Sequence, residues 1–210
     1  NWPKKPYKIK LKTKETLLSD KDSLSRLLPE KDWVLLSDYQ DGVHLLNNIA
    51  FLIGRMLEMP FTNTVIPVEL TLNGEYLGLY GLTEQVEVKN NRVNVGDTGI
   101  LLELDQYFDE KWQFRSALYN LPVMIKDPEL ESNVALELIK SEWNTFESLI
   151  AHPDFPNNNY LDYIDIESIA KYFIVCMLTS NEEINQPKST FIHRESGGKY
   201  VMGPIWDFDW

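Results

Sequence analysis

The chain has 210 residues, of which 43% are hydrophobic and 12% aromatic, enough to pack one substantial domain or a two-lobed one. Its net charge of -12 argues against non-specific binding to nucleic acid, which requires a basic surface. The sequence contains no apolar run of about eighteen residues that would span a membrane. Cys176 is the single cysteine and lies in an apolar run, so we expect a buried small side chain rather than a nucleophile.

The first part of the chain is predicted to be rich in strands. Residues 7–11 alternate apolar and basic side chains, which is typical of a half-buried strand, and residues 32–36 form a second apolar run. Asp41 stands where an N-cap belongs, before a helix predicted over residues 42–57.

The clearest local pattern is a β-hairpin. Two β-rich runs, residues 65–72 and 75–88, are separated by Asn73-Gly74, the pair that best tolerates the positive φ angles of a tight turn. Further strands are predicted at residues 100–104 and 122–126.

From about residue 130 the apolar period changes from two residues to 3.6. An apolar stripe between Ala135 and Ile150 predicts one helix, and Asp165 can cap another over residues 166–179. The C-terminal half of this second helix is apolar on all sides, so we expect it to lie centrally. Strands at residues 190–193 and 199–202 then form a second hairpin.

This order of elements predicts an α+β fold with two lobes in a single domain over residues 1–210. The β-rich N-terminal lobe is assigned to residues 1–128 and the helical C-terminal lobe to residues 129–210.

Two acids at the end of the last hairpin are the strongest candidates for chemistry. Asp207 and Asp209 are separated by one aromatic residue, and in an extended chain residues two apart point the same way. They could bind Mg²⁺ or Mn²⁺, since hard cations prefer oxygen ligands. An isolated Asp-x-Asp is more often a polar turn. The order of an apolar helix, a polar loop, a hairpin and then these acids matches that of a protein-kinase catalytic loop and metal-binding Asp, which favours the site.

Several blocks of sequence then resemble one family. They are residues 72–86 (LNGEYLGLYGLTEQV), residues 181–193 (NEEINQPKSTFIH) and residues 198–210 (GKYVMGPIWDFDW). Together with the beginning of the chain, these blocks resemble the spore-coat protein H (CotH) family of atypical, kinase-like secreted proteins, in the same order and over essentially the whole sequence.

The resemblance implies a protein-kinase-like, two-lobed architecture whose C-lobe is incomplete at Trp210. It implies binding of ATP with Mg²⁺ or Mn²⁺, and transfer of phosphate to Ser or Thr of a protein substrate. It also implies a secreted or cell-surface location, in a bacterium.

The resemblance also implies residue roles. Asp207 takes the place of the principal metal ligand and belongs to the catalytic set, and Asp209 is a second metal ligand. Glu183 stands at the catalytic-loop acid, with Glu182 as the neighbouring alternative. Ser189 falls where kinases have a metal-binding Asn. Candidates for contact with the nucleotide are Lys8, Lys10, Glu84, Lys126 and Lys188.

The chain departs from the kinase pattern at several positions. No glycine precedes Gly42, so the usual glycine-rich phosphate loop is absent, and the catalytic acid is Glu rather than Asp. The residues therefore leave open an active kinase and a non-catalytic module that binds nucleotide, metal or another surface protein. An unrelated metal-dependent phosphoester hydrolase is disfavoured, because the three His are far apart and the extra carboxylates of two-metal sites are lacking.

Overall fold

The computed structural model describes residues 2–18 and 29–209, and this part of the chain is α+β, with two antiparallel sheets and three α-helices. The strands are β1 (Tyr7–Glu15), β2 (Glu30–Leu36), β3 (Val65–Leu72), β4 (Glu75–Glu84), β5 (Ile100–Leu104), β6 (Gln113–Arg115), β7 (Pro122–Asp127), β8 (Thr190–Arg194) and β9 (Val201–Met202). The helices are α1 (Leu46–Met56), α2 (Asn133–Ile150) and α3 (Ile166–Thr179).

The first sheet has the strand order β1-β2-β4-β3. The predicted hairpin is confirmed: β3 pairs with β4, and the turn residues Asn73 and Gly74 have φ angles of 51° and 86°. One face of this sheet packs an apolar cluster around Trp33, Leu35 and Tyr80. Trp33 and Leu35 lie two residues apart on β2 and point to the same face. Val34 and Leu36, on the opposite face, are buried as well, so this end of the sheet is covered on both faces.

Helix α1 begins later than predicted, at Leu46 rather than at residue 42. The carboxylate of Asp41 accepts hydrogen bonds from the backbone N–H groups of Val43, Leu45 and Leu46, at 3.0, 2.6 and 2.7 Å. Asp41 therefore does cap the helix, but from a loop that wraps around its side chain before the first helical turn. The sequence pattern alone does not distinguish this loop from a helical turn.

Asp41→Ala is expected to destabilise the protein by about 1–2 kcal/mol, the usual cost of losing an N-cap side chain. Burial alone would raise the pKa of Asp41, but the backbone N–H donors lower it below its ordinary value. The stabilisation is therefore present at neutral pH and is lost as the pH falls through that lowered pKa. Urea denaturation at neutral and acidic pH measures both effects. Asp97→Ala, at an exposed position, is the control, and equal midpoints for the two variants would contradict the cap.

The second sheet has the order β6-β7-β5-β8-β9. Strand β5 lies at its centre, where Leu102 pairs with Ile125 of β7 and with Ile192 of β8. The sheet thus joins strands from both sides of residue 128, the predicted boundary between the two parts of the chain. Strand β6 was not predicted, because three residues are too few to show an apolar period.

Helix α3 has the predicted cap, whereas Ser132, which caps α2, was not predicted. Asp165 accepts a hydrogen bond from the backbone N–H of Ser168 at the start of α3, whose bounds are those predicted. The expectation that α3 lies centrally is wrong: Met177 and Leu178 are 77% and 66% exposed. Only the stripe that contains Tyr172, Val175 and Cys176 is buried, against α1 and β9, because the helix lies on one side of the fold. Cys176 is buried, as predicted.

Within the described residues, no helix combines the length and the apolar character that crossing a membrane would require.

Candidate functional site

Strand β9 leads directly into the segment Asp207-Phe208-Asp209. Phe208 is buried in the main core, whereas both acids are partly exposed. Asp207 adopts a left-handed backbone conformation, with a φ of 61°, which is uncommon for a non-glycine residue and often found at functional sites. Burial, then the charge of Asp209 and a side-chain hydrogen bond with it, raise the pKa of Asp207 to about 7.

Glu183 lies in the 3₁₀ turn Glu183–Asn185, which follows α3. Its carboxylate accepts a hydrogen bond from Lys188 Nζ at 3.3 Å. Burial raises the pKa of Glu183, the charge of Lys188 opposes this, and the charges of Asp209 and Asp105 add to the rise. The structure therefore brings Glu183, Asp209 and Asp207 into one electrostatic cluster, with Lys188 beside them. Glu182, the alternative to Glu183, is exposed.

Ser189 connects this loop to the acids. Its hydroxyl donates to Asp207 Oδ2 at 3.4 Å, and its backbone N–H donates to Asp105 Oδ2 at 3.0 Å. Asp105 is buried at the end of β5, where its other oxygen accepts from the backbone N–H of Tyr107 at 2.7 Å. Asp105 thus fixes the position of the loop that carries Lys188 and Ser189. Asp105 was not predicted as a site residue, although it is an acid that directly follows a predicted strand.

The N-terminal part of the chain contributes three residues that were also not predicted. The backbone N–H of Phe208 donates to Asn47 Oδ1 at 2.8 Å, and Asn47 Nδ2 donates to Asp38 Oδ1 at 2.8 Å. Lys4 donates from Nζ to the backbone carbonyls of Ser37 and Leu79. Burial lowers the pKa of Lys4, while the nearby charges of Asp38 and Asp209 act in the opposite direction.

Two of the remaining candidates have polar partners inside the protein. Lys126 forms ion pairs with Glu103, at 3.0 Å, and with Glu110. Glu84 is buried and accepts from the backbone N–H of Thr64 at 2.7 Å, and burial raises its pKa.

The last two candidates, Lys8 and Lys10, lie exposed on β1, and Lys8 pairs with Asp32 at 3.5 Å. Over residues 2–18 and 29–209, none of the candidates Lys8, Lys10, Glu84 and Lys126 is hydrogen-bonded or ion-paired to the acid cluster.

The donor set around Asp207 suits a hard divalent cation. It consists of the carboxylates of Asp207 and Asp209 and the hydroxyl of Ser189, all of them oxygen donors. In the described part of the chain, no three His, Cys, Asp or Glu side chains are arranged to hold a metal. Mg²⁺ is commonly bound through one or two carboxylates, with water and phosphate completing its shell, and two carboxylates with a hydroxyl are compatible with that coordination. A cation here would also relieve the repulsion that now favours a proton on Asp207.

The family described as CotH kinase protein matches residues 1–210, which is the whole chain. A comparison with curated proteins found no match. Since the family match covers every residue from the hairpin of the first sheet to the acids after β9, the chain belongs to the CotH kinase family.

Proposed function

We propose that this chain is an atypical, protein-kinase-like domain that binds ATP with Mg²⁺ or Mn²⁺ and phosphorylates Ser or Thr of a surface or secreted protein in a bacterium. The observation that carries the proposal is the acid cluster, in which Glu183 from the loop after α3 lies with Asp207 and Asp209 from the segment after β9. In this proposal residues 1–128 and 129–210 correspond to the two lobes of a kinase.

The metal would be held by Asp207, Asp209 and Ser189. When bound, a divalent cation offsets the negative charge of nucleotide phosphates beside these acids. Lys188 is the candidate for direct contact with phosphate, since its ammonium group already lies near Asp207 and Glu183. Burial disfavours its charged form, but the surrounding carboxylates outweigh this and raise the pKa of Lys188, so it stays cationic at neutral pH.

Glu183 would orient the acceptor hydroxyl and take its proton. The raised pKa of Glu183 makes its carboxylate a stronger base at neutral pH than an exposed glutamate. Lys188 engages Oε1 of Glu183, so Oε2 would be the oxygen that takes the proton.

The second candidate function is a module that binds nucleotide or metal without transferring phosphate. The ion pair between Glu183 and Lys188 favours it, because the carboxylate that would serve as the base is already engaged. The absence of glycine before Gly42 points the same way, since no glycine-rich loop covers the phosphates.

Calorimetry with ATP tests the binding of nucleotide and metal, which both candidate functions include. We expect binding to require Mn²⁺ or Mg²⁺, and Asp207→Ala to weaken it by more than the roughly tenfold loss typical of outer-shell changes at metal sites. Asp97→Ala is the control. Equal ATP affinity with and without metal, or an unchanged affinity in Asp207→Ala, would contradict the site. Transfer of phosphate from ATP to an added protein then separates the kinase from the binding module.

A further inference from the structure

We infer that Asn47 is a positioning residue for the acid pair Asp207 and Asp209, held in place by Asp38. The inference rests on the proposed function, because it assigns Asn47 to the geometry of the metal site proposed above. Asn47 lies in the first turn of α1, 160 residues before Asp207, and the two segments meet only in the folded protein.

The contact is made at the amide between the two acids. Phe208 N donates to Asn47 Oδ1 at 2.8 Å, and both residues are 2% exposed, so water cannot replace this acceptor without cost. The peptide plane that carries this N–H joins Asp207 to Phe208, and Asp209 follows directly. Fixing that plane therefore fixes the direction in which both carboxylates leave the backbone, next to a residue with an uncommon φ of 61°.

Asp38 determines which way the Asn47 amide faces. Asn47 Nδ2 donates to Asp38 Oδ1 at 2.8 Å, which leaves Oδ1 of Asn47 as the acceptor for Phe208. Asp38 is itself confined: it is 3% exposed, and a Cβ atom added to Gly81 would lie 3.1 Å from its Oδ2. The Lys4 ammonium group provides a nearby positive charge. The acid pair is thus supported from the N-terminal part of the chain by a buried side-chain relay with a fixed orientation.

Buried asparagines often have a purely structural role, so the two roles must be separated experimentally. Asn48 is the matched control, because it is the adjacent residue of the same type on the same helix and is only partly buried. The first readout is the hydrogen-exchange rate of the Phe208 amide, measured by NMR on the metal-free protein. Its acceptor is the Asn47 side chain, so Asn47→Ala should speed exchange by about tenfold, the factor that corresponds to one net hydrogen bond. Asn48→Ala should not.

The second readout is the affinity for Mn²⁺ alone, measured by electron paramagnetic resonance. We expect Asn47→Ala to weaken Mn²⁺ binding by about 10- to 100-fold, as for other residues that orient metal ligands. Asn48→Ala should leave it unchanged. Faster Phe208 exchange with wild-type Mn²⁺ affinity would overturn the positioning role and leave the proposed function intact. A wild-type protein that does not bind Mn²⁺ would instead remove the metal site, and with it this inference.

Asn47→Asp keeps the test decisive if Asn47→Ala does not fold. A carboxylate at position 47 can still accept from Phe208 N but cannot donate to Asp38. Asp38 then no longer orients the side chain, and the two carboxylates repel each other, so Phe208 exchange should be faster in Asn47→Asp than in wild type. Exchange of Phe208 at the wild-type rate in a folded Asn47→Asp protein would contradict the role of Asp38 in the relay.

Discussion

Without metal, Asp207→Asn is expected to be more stable than the wild-type protein above pH 7. Burial and the neighbouring carboxylates raise the pKa of Asp207 from 3.8 to about 7, so the folded protein resists ionising this group. At 1.36 kcal/mol for each pH unit, the penalty at high pH is at most about 4 kcal/mol, and partial exposure of the side chain reduces it. Asn removes the charge while keeping the size of the side chain.

The sign of the effect follows from proton binding. Between about pH 4 and pH 7 the folded state holds a proton on Asp207 that the unfolded state has lost. The free energy of unfolding of the wild-type protein therefore falls as the pH rises through this window. The difference between Asp207→Asn and wild type should be small near pH 4 and reach its maximum above pH 7.

Urea denaturation across this pH range measures the difference, with Asp97→Asn as the control at an exposed site. Saturating Mn²⁺ should stabilise the wild-type protein and not Asp207→Asn, because only the wild-type protein retains both carboxylates. A stability difference of the same size at every pH would show that the charge of Asp207 is not its cause.

If the domain transfers phosphate, Glu183→Gln is expected to lower turnover by about 10²- to 10⁴-fold, the usual contribution of a general base. Affinity for ATP with Mn²⁺ should stay close to the wild-type value, because the base interacts with the acceptor hydroxyl mainly in the transition state. Single-turnover phosphate transfer and calorimetry measure the two quantities separately. Glu131→Gln, at an exposed position, is the control.

Two further variants sharpen this prediction. Glu182→Gln compares the exposed neighbour with Glu183, and a loss of turnover in Glu182→Gln alone would transfer the role to that residue. Glu183→Asp restores the acid usual in kinases, one methylene shorter. Higher turnover in Glu183→Asp would indicate a weakened kinase, and lower turnover would indicate a site adapted to Glu. Equal inactivity of the wild-type protein and every variant would favour the binding module.

The sequence predicted those elements whose determinants are local. Asn73-Gly74 specifies its turn by its own backbone preferences, and Asp165 caps the helix that begins at the next residue. The start of α1 was placed too early because Asp41 reaches the helix through a loop rather than from the adjacent position. Each prediction is right where the contact that determines the element joins adjacent or nearly adjacent residues, and wrong where a loop separates them.

The residues of the candidate site also fall into those that the sequence predicts and those that it does not. The spacing of Asp207 and Asp209 after a predicted strand indicates a candidate site by itself, and the family resemblance adds Glu183. Asn47 and Asp38 carry no such pattern, because Asn47 lies within a helix and Asp38 lies two residues after β2 rather than directly at its end. Their place beside Phe208 depends on how α1 packs against the segment after β9, which no local period encodes.

The central position of β5 determines the order in which the protein can assemble. β5 pairs with β7 nearby in the chain, but its other edge pairs with β8, as in the partnership of Leu102 with Ile192. Residues 105–189 separate β5 from β8, and closing a loop of this length is entropically costly and slow. During synthesis, β8 also leaves the ribosome well after β5. The acids that follow β9 arrive later still. A nascent chain therefore exposes one edge of β5 until the hairpin of β8 and β9 covers it, and the acid cluster is completed in the last stage of folding.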